Sequence, residues 1–286
     1  MVYDQNFPDP SVLVVGHTYY AYSTNSNGEN LPVIASDDLT HWRAIGDAMS
    51  VLPVWASDGY VWSPSVDRAP DGGFELFFSA YDQAEGVMCL GRATAPSPLG
   101  PFVDVSGNPF LCQVAAGGSI DPSLYRFEGS DYLVWKGDGE AGQSQSILSA
   151  RLGADDAALT GPISTLLTAN EYWENGIVEG PAFIDTSGTL QLYFSANRWS
   201  SADYAIGVTT CESPLGPCTA SDVQRVSVPS TLATGAGGAS FFTAGGHTYL
   251  AFAAWTDGLV GNSTGRRGLF LLGVDDDTEV VPPGYH

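Results

Sequence analysis

The sequence predicts an all-β fold, a single five-bladed β-propeller domain over residues 1–286, and three observations predict it. Gly 34, Pro 18 and 12% aromatic residues suit many short strands joined by tight turns. A short polar or acidic triplet before an apolar run recurs as Asp9-Pro10-Ser11, Ser63-Pro64-Ser65, Asp121-Pro122-Ser123, Glu179-Gly180-Pro181 and, more loosely, Gly237-Gly238-Ala239, at steps of 54, 58, 58 and 58 residues. A second ruler has the same period: "TAPSPLGPF" begins at Thr94 and "TCESPLGPC" at Thr210, 116 residues or two steps later.

Each of the five units runs in one order. After the triplet comes a first apolar run ("SVLVV", "SVDRA", "SLYRF", "PAFID", "SFFTA"). A turn with Gly or Asp follows ("VGHT", "PDGG", "EGSD", "TSGT", "AGGH"), then a β-prone aromatic run ("TYYAYST", "FELFFSA", "YLVWKG", "LQLYFSA", "TYLAFAA"). A third run closes the pattern ("PVIAS", "MCLGRA", "SILSA", "AIGVTT", "GLFLLGV"). Three strands and a weaker fourth make a propeller blade. The longest helix-compatible piece, residues 155–159, is too short to compete.

Ten basic side chains stand against 32 acidic ones, a net charge of −22. That balance argues against a nucleic-acid backbone or an anionic membrane as partner, and solubility is its ordinary reading. Lys136 is the single lysine. No run of 18 apolar residues occurs, so no helical span is expected. No signal peptide precedes Asp4; the expectation is a secreted protein whose leader is not part of this sequence, with a cytoplasmic location as the alternative. Cys211 and Cys218 bracket "ESPLGP", which a disulfide could close, leaving Cys89 to pair with Cys112. Four buried thiols are the equal alternative; C-x2-C metal spacing is absent.

The first strand of a propeller blade lines the axis, so the leading residues of the five units should meet at one mouth. Three are carboxylates: Asp9, Asp121 and Glu179. Asp before Pro often caps its own turn, but three acids facing one another across an axis repel, which favours a functional reason. Paired carboxylates without metal-binding partners suit glycoside hydrolysis, one protonating the leaving oxygen and the other activating water. A third acid nearby favours the protonated form of its neighbour.

In their order and spacing, "FPDPSV", "IDPSLY" and "VEGPAF" resemble glycoside hydrolase family 43, five-bladed propellers that include α-L-arabinofuranosidases, arabinanases and β-xylosidases. The resemblance covers essentially the whole chain. It implies an inverting enzyme with Asp9 as general base, Glu179 as general acid and Asp121 orienting the acid and favouring its protonation. It also implies an arabinose- or xylose-containing oligo- or polysaccharide as substrate. Softer matches are "YVWSPSV", which puts Trp62 near the pocket, and "SDDLTHW", whose His41 and Trp42 are expected to pack structurally. Arg266 or Arg267 falls where the family places a substrate-binding arginine. Phe7 beside the base and Arg198 in "SANRW" complete the candidate binding residues. Many members place a His in blade five that helps hold a channel ion; here Gly238 stands in that position. A channel calcium is therefore left open but unsupported, and no metal ligand or required cofactor is assigned.

Two rival readings remain. Retaining fructan enzymes use three acids on five blades, but with Cys after the last acid, where this chain has Gly180. A non-catalytic glycan-binding propeller would not need all three carboxylates. Loops 25–30 and 196–203 could wall one mouth into a pocket for a terminal sugar, which favours an exo-acting α-L-arabinofuranosidase over an endo-arabinanase or β-xylosidase.

Overall fold

Five antiparallel sheets follow one another in the computed structural model, each built in chain order. The structure describes residues 1–139, 145–226, 228 and 232–274. Blade one holds β1 (Ser11–Val15), β2 (Thr18–Tyr22), β3 (Pro32–Ser36) and β4 (Arg43–Asp47). Blade two holds β5 (Trp62–Arg68), β6 (Phe74–Asp82) and β7 (Val87–Ala95). Blade three holds β8 (Ser119–Phe127), β9 (Ser130–Gly137), β10 (Ser146–Leu152) and β11 (Leu159–Thr168). Blade four holds β12 (Val178–Thr186), β13 (Thr189–Ala196), β14 (Ala205–Cys211) and β15 (Gln224–Arg225). Blade five holds β16 (Thr234–Ala244), β17 (His247–Trp255) and β18 (Arg267–Val274). The five-bladed propeller read from the repeat is the fold.

The first hairpins of blades three, four and five turn through Glu128-Gly129, Ser187-Gly188 and Gly245-Gly246, all with positive φ. That is the two-residue turn whose twist matches paired strands. The apolar residues bury between blades rather than in one central core. Leu13, Tyr22 and Val33 of blade one pack with Val66, Leu76 and Phe78 of blade two. Comparable wedges join blades two and three around Phe77 and Trp135, three and four around Ile147 and Phe194, four and five around Ile206 and Phe252, and five and one around Leu271 and Ile34. Gly91 and Gly207, again 116 residues apart, each lie under a ring of the adjacent strand. A Cβ there would stand 2.3 Å from Phe78 and 2.5 Å from Phe194 respectively.

The outer edge of blade five is met by the start of the chain. Tyr3 bridges Leu269, the Val2 amide donates to the Leu269 carbonyl, and the Leu269 amide donates to Tyr3. Both disulfides are present, Cys89–Cys112 and Cys211–Cys218. No helix among the described residues is long and apolar enough to cross a membrane.

Candidate active site

At the start of its first strand each blade carries one residue in the left-handed region: Asp9 (φ 52), Ser63 (φ 46), Asp121 (φ 56), Gly180 (φ 54) and Gly238 (φ 67). This conformation costs a non-glycine residue roughly 1–2 kcal/mol and recurs at an equivalent place in all five blades. It corrects the register read from the triplets. The equivalent of Asp9 and Asp121 in blade four is Gly180, so the steps are 54, 58, 59 and 58. Glu179 instead matches Trp62, Ile120 and Gly237, each paired to the second strand just before a bulge. The three acids line one cavity of about 440 Å³, but Glu179 enters it from a different backbone position.

The second strands explain how the acids are held. Ser79 Oγ accepts the amide of Asp121, and Ser195 Oγ accepts that of Gly238. Thr24 Oγ1 accepts the Ser63 amide and donates to Asp9 Oδ2 at 2.7 Å. At the matching place in blade three stands Lys136, opposite Ile120. An ammonium cannot accept a hydrogen bond, so the Gly180 amide donates to Asp121 Oδ2 at 2.9 Å instead. Lys136 Nζ is thereby free to reach Glu179 Oε2 at 3.0 Å and Asp138 Oδ1 at 3.1 Å.

Each acid thus has its own environment. Asp9 faces Arg267, with Nη1 3.4 Å from Oδ1. Glu179 accepts from Lys136 and, at Oε1, from the Tyr204 hydroxyl at 2.8 Å. Asp121 is 8% exposed. Its burial, followed by the charge of Glu179, pushes its carboxyl up to about 7, the Asp9 charge adding to the push and Lys136 opposing it. Burial would lower the Lys136 ammonium, but Glu179, Asp121 and Asp138 together hold it above its ordinary value. Burial and then the charges of Glu179 and Asp9 hold the Tyr204 phenol well above its ordinary range, so it remains a hydroxyl.

Two of the predicted binding residues line the cavity, Trp62 and Arg267. The Arg267 guanidinium lies over the Trp199 ring at 4.9 Å, and Trp199 stacks on Trp255 with 6.1 Å between centroids. The other three do not reach it. Phe7 is buried in the wedge between blades five and one and edges against Tyr3, because its backbone amide is tied to the Arg267 carbonyl. Arg198 is exposed and not part of the cavity lining, its amide donating to Asn197 Oδ1. Arg266 points outward to Asp257 at 3.7 Å, since successive residues entering a strand face opposite sides. Of the pair expected to pack, Trp42 does so in the wedge between blades five and one, whereas His41 is exposed and paired with Asp38. Of the walls expected from loops 25–30 and 196–203, Asn25 and Trp199 line the cavity; Asn262 and Ser263 of blade five add a side not foreseen.

Lys136, Tyr204, Thr24, Trp199 and Trp255 were not among the candidates. For Lys136 the signal was present: "WKG" stands where blades two and four have "FSA", blade five has "FAA" and blade one has "YST".

The family model for glycosyl hydrolases family 43 matches residues 1–274. The chain belongs to that family. It is 26% identical over 258 residues to a β-D-galactofuranosidase of Aspergillus niger, across 85% of this chain and 72% of that one. It is 28% identical over 228 residues to a non-reducing end α-L-arabinofuranosidase of Bacteroides ovatus, across 77% of this chain and 39% of that one, so it spans well under half of that relative. A solved thermostable family 43 glycoside hydrolase superposes with a TM-score of 0.83 at 23% identity, covering 98% of this chain and 94% of that one, a likeness of fold.

The channel ion that the family resemblance raises does not fit the residues of blade five. Gly238 offers no ligand, and a Cβ added there would lie 2.7 Å from Asp9 Oδ1 and 2.9 Å from Asp9 Cα. Among the described residues no three His, Cys, Asp or Glu side chains gather as a metal site.

Proposed function

We propose that this family 43 glycoside hydrolase removes terminal α-L-arabinofuranosyl residues from neutral arabinose- and xylose-containing glycans, with inversion. The observation that carries the reading is the gathering of three carboxylates in one cavity with three different sets of partners. Inverting hydrolysis needs that kind of separation of roles.

In this reading Asp9 removes a proton from water, held by Thr24 and beside Arg267. The water oxygen bonds to the anomeric carbon as the glycosidic C–O bond breaks, and the leaving oxygen takes the proton of Glu179. Lys136 keeps hold of Oε2, so the proton is carried at Oε1. There the Tyr204 hydroxyl, which donates to a carboxylate, can rotate and accept from a carboxylic acid. Asp121 fixes the backbone beside Glu179 through the Gly180 amide. The stacked Trp199 and Trp255 offer an apolar wall to a sugar face, and closure by Trp199 and Asn262 suits a chain end over a through-going polymer. The two disulfides support an oxidising, extracellular setting.

A panel of aryl α-L-arabinofuranosides, β-D-xylosides and β-D-galactofuranosides, with arabinan and arabinoxylan, tests the substrate. Proton NMR of the first-formed sugar tests the stereochemistry. Retained configuration would make Asp9 a nucleophile and remove it from the base role.

A further inference from the structure

Beside the cavity, along the turn after β6 and the loops on either side of blade two, runs an open groove of about 880 Å³. We propose that this groove binds the neutral glycan main chain to which the terminal sugar is attached, a proposal that rests on the glycosidase reading of the cavity.

The groove joins the cavity through one short segment. Gly59 and Trp62 line the cavity, while Asp58 and Tyr60, alternating with them, line the groove. Three rings make a continuous path outward. The Tyr60 centroid is 5.9 Å from that of Trp62 and 5.6 Å from that of Tyr81. Tyr60 is 46% exposed, so its ring is open to a ligand. The backbone of this segment is held at both ends: the Ser57 amide donates to the Tyr81 carbonyl, and the Asn25 amide to the Val61 carbonyl. A strip of this kind is preformed, so little ordering is needed when a ligand lies on it.

The lining chemistry selects the occupant. Val54, Trp55, Tyr60 and Tyr81 supply apolar faces for the C–H faces of sugar rings. Asp58, Gln83 and Glu85 place hydrogen-bonding ends along the same groove for hydroxyls. The carboxylates, in a chain of net charge −22, disfavour a uronic-acid polymer and favour an uncharged one. Continuity with the cavity argues for the rest of the same substrate over an unrelated protein partner.

Tyr60→Ala and Tyr81→Ala test the proposal in two measurements. The first is the ratio of kcat/KM on arabinoxylan to kcat/KM on an aryl arabinofuranoside, which has no main chain. It should fall about fivefold for each variant, the effect of about 1 kcal/mol. The second is affinity electrophoresis in gels containing neutral arabinoxylan or polygalacturonate, which reads binding without turnover. Wild type should be retarded by the neutral polymer, both variants less so, and none by the anionic one. An unchanged ratio with unchanged retardation would overturn the groove. Retardation by polygalacturonate would overturn its charge selection. Failure of wild type to cleave any glycoside would sink the glycosidase reading, and the gel would still report on the groove.

Discussion

Replacing Asp121 with Asn separates the charge of this residue from its shape. In the folded chain burial, with Glu179 next, pushes the Asp121 carboxyl up to about 7 from an ordinary 3.8. The folded state therefore holds this proton more tightly than the unfolded chain. As pH rises from about 4 to about 7, the unfolded chain releases it first, and this group makes folding progressively less favourable. At 1.36 kcal/mol per tenfold, the full penalty above that window is about 4 kcal/mol. Asn never ionises and escapes it. It keeps one carbonyl oxygen where the carboxylate had two, so it cannot serve both the Gly180 amide and the Ser63 hydroxyl, a loss of about 1 kcal/mol. Asp121→Asn should thus be less stable than wild type by about 1 kcal/mol at pH 4 and more stable by about 1–3 kcal/mol at pH 8. Urea unfolding followed by tryptophan fluorescence at pH 4, 6 and 8 reads both values. A stability difference that stays constant across this range would refute the assignment of the raised carboxyl to Asp121. Activity should fall in the same variant, the expected pattern where stability is sacrificed to a site.

Three other substitutions probe the neighbours. Glu179→Gln should lose about 10²–10⁴-fold in kcat on natural glycosides but far less on aryl substrates with good leaving groups; equal losses on both would remove Glu179 as the acid. Lys136→Met leaves Glu179 and Asp121 without their buried cation and should cost about 3–5 kcal/mol at pH 7. Its cost should shrink as pH falls through about 7 and Asp121 takes up its proton, and a pH-independent cost would show that Lys136 acts through packing alone. Gly238→Ala combines a φ of +67 with a Cβ only 2.9 Å from the Asp9 Cα. It should lower stability by about 2–3 kcal/mol and kcat with it; a variant with wild-type melting and turnover would contradict the close approach.

The repeat made the architecture legible, because each blade must rebuild the same strands and turns from local sequence. The acids were legible for the same reason, as they stand near one repeat position. Register was harder: "EGP" resembles "DPS" by eye, yet the left-handed backbone falls on Gly180 and not on Glu179. Side chains brought in by other elements were the least legible. Tyr204 precedes a third strand and Thr24 follows a second, and neither carries a local mark of its destination. Arg266 and Arg267 are neighbours with opposite fates, decided by which face of the strand each takes. Phe7 adjoins the site in sequence and is drawn into a wedge by the pairing of the chain start with blade five.

That pairing bears on how the ring forms during synthesis. The segment around Tyr3 is made before any of the five blades, yet its partner, Leu269, is made only with blade five. Blades one to four can pair their own strands and dock neighbour to neighbour while the chain is still growing. The contact of Tyr3 with Leu269 and the wedge between blades five and one must wait, and they span nearly the whole described chain. Contacts of such sequence separation carry the largest closure entropy and slow the last step. Until then the inner faces of Ile34 and Leu271 stay uncovered, so a nascent or C-terminally shortened chain should be a preferred client of chaperones.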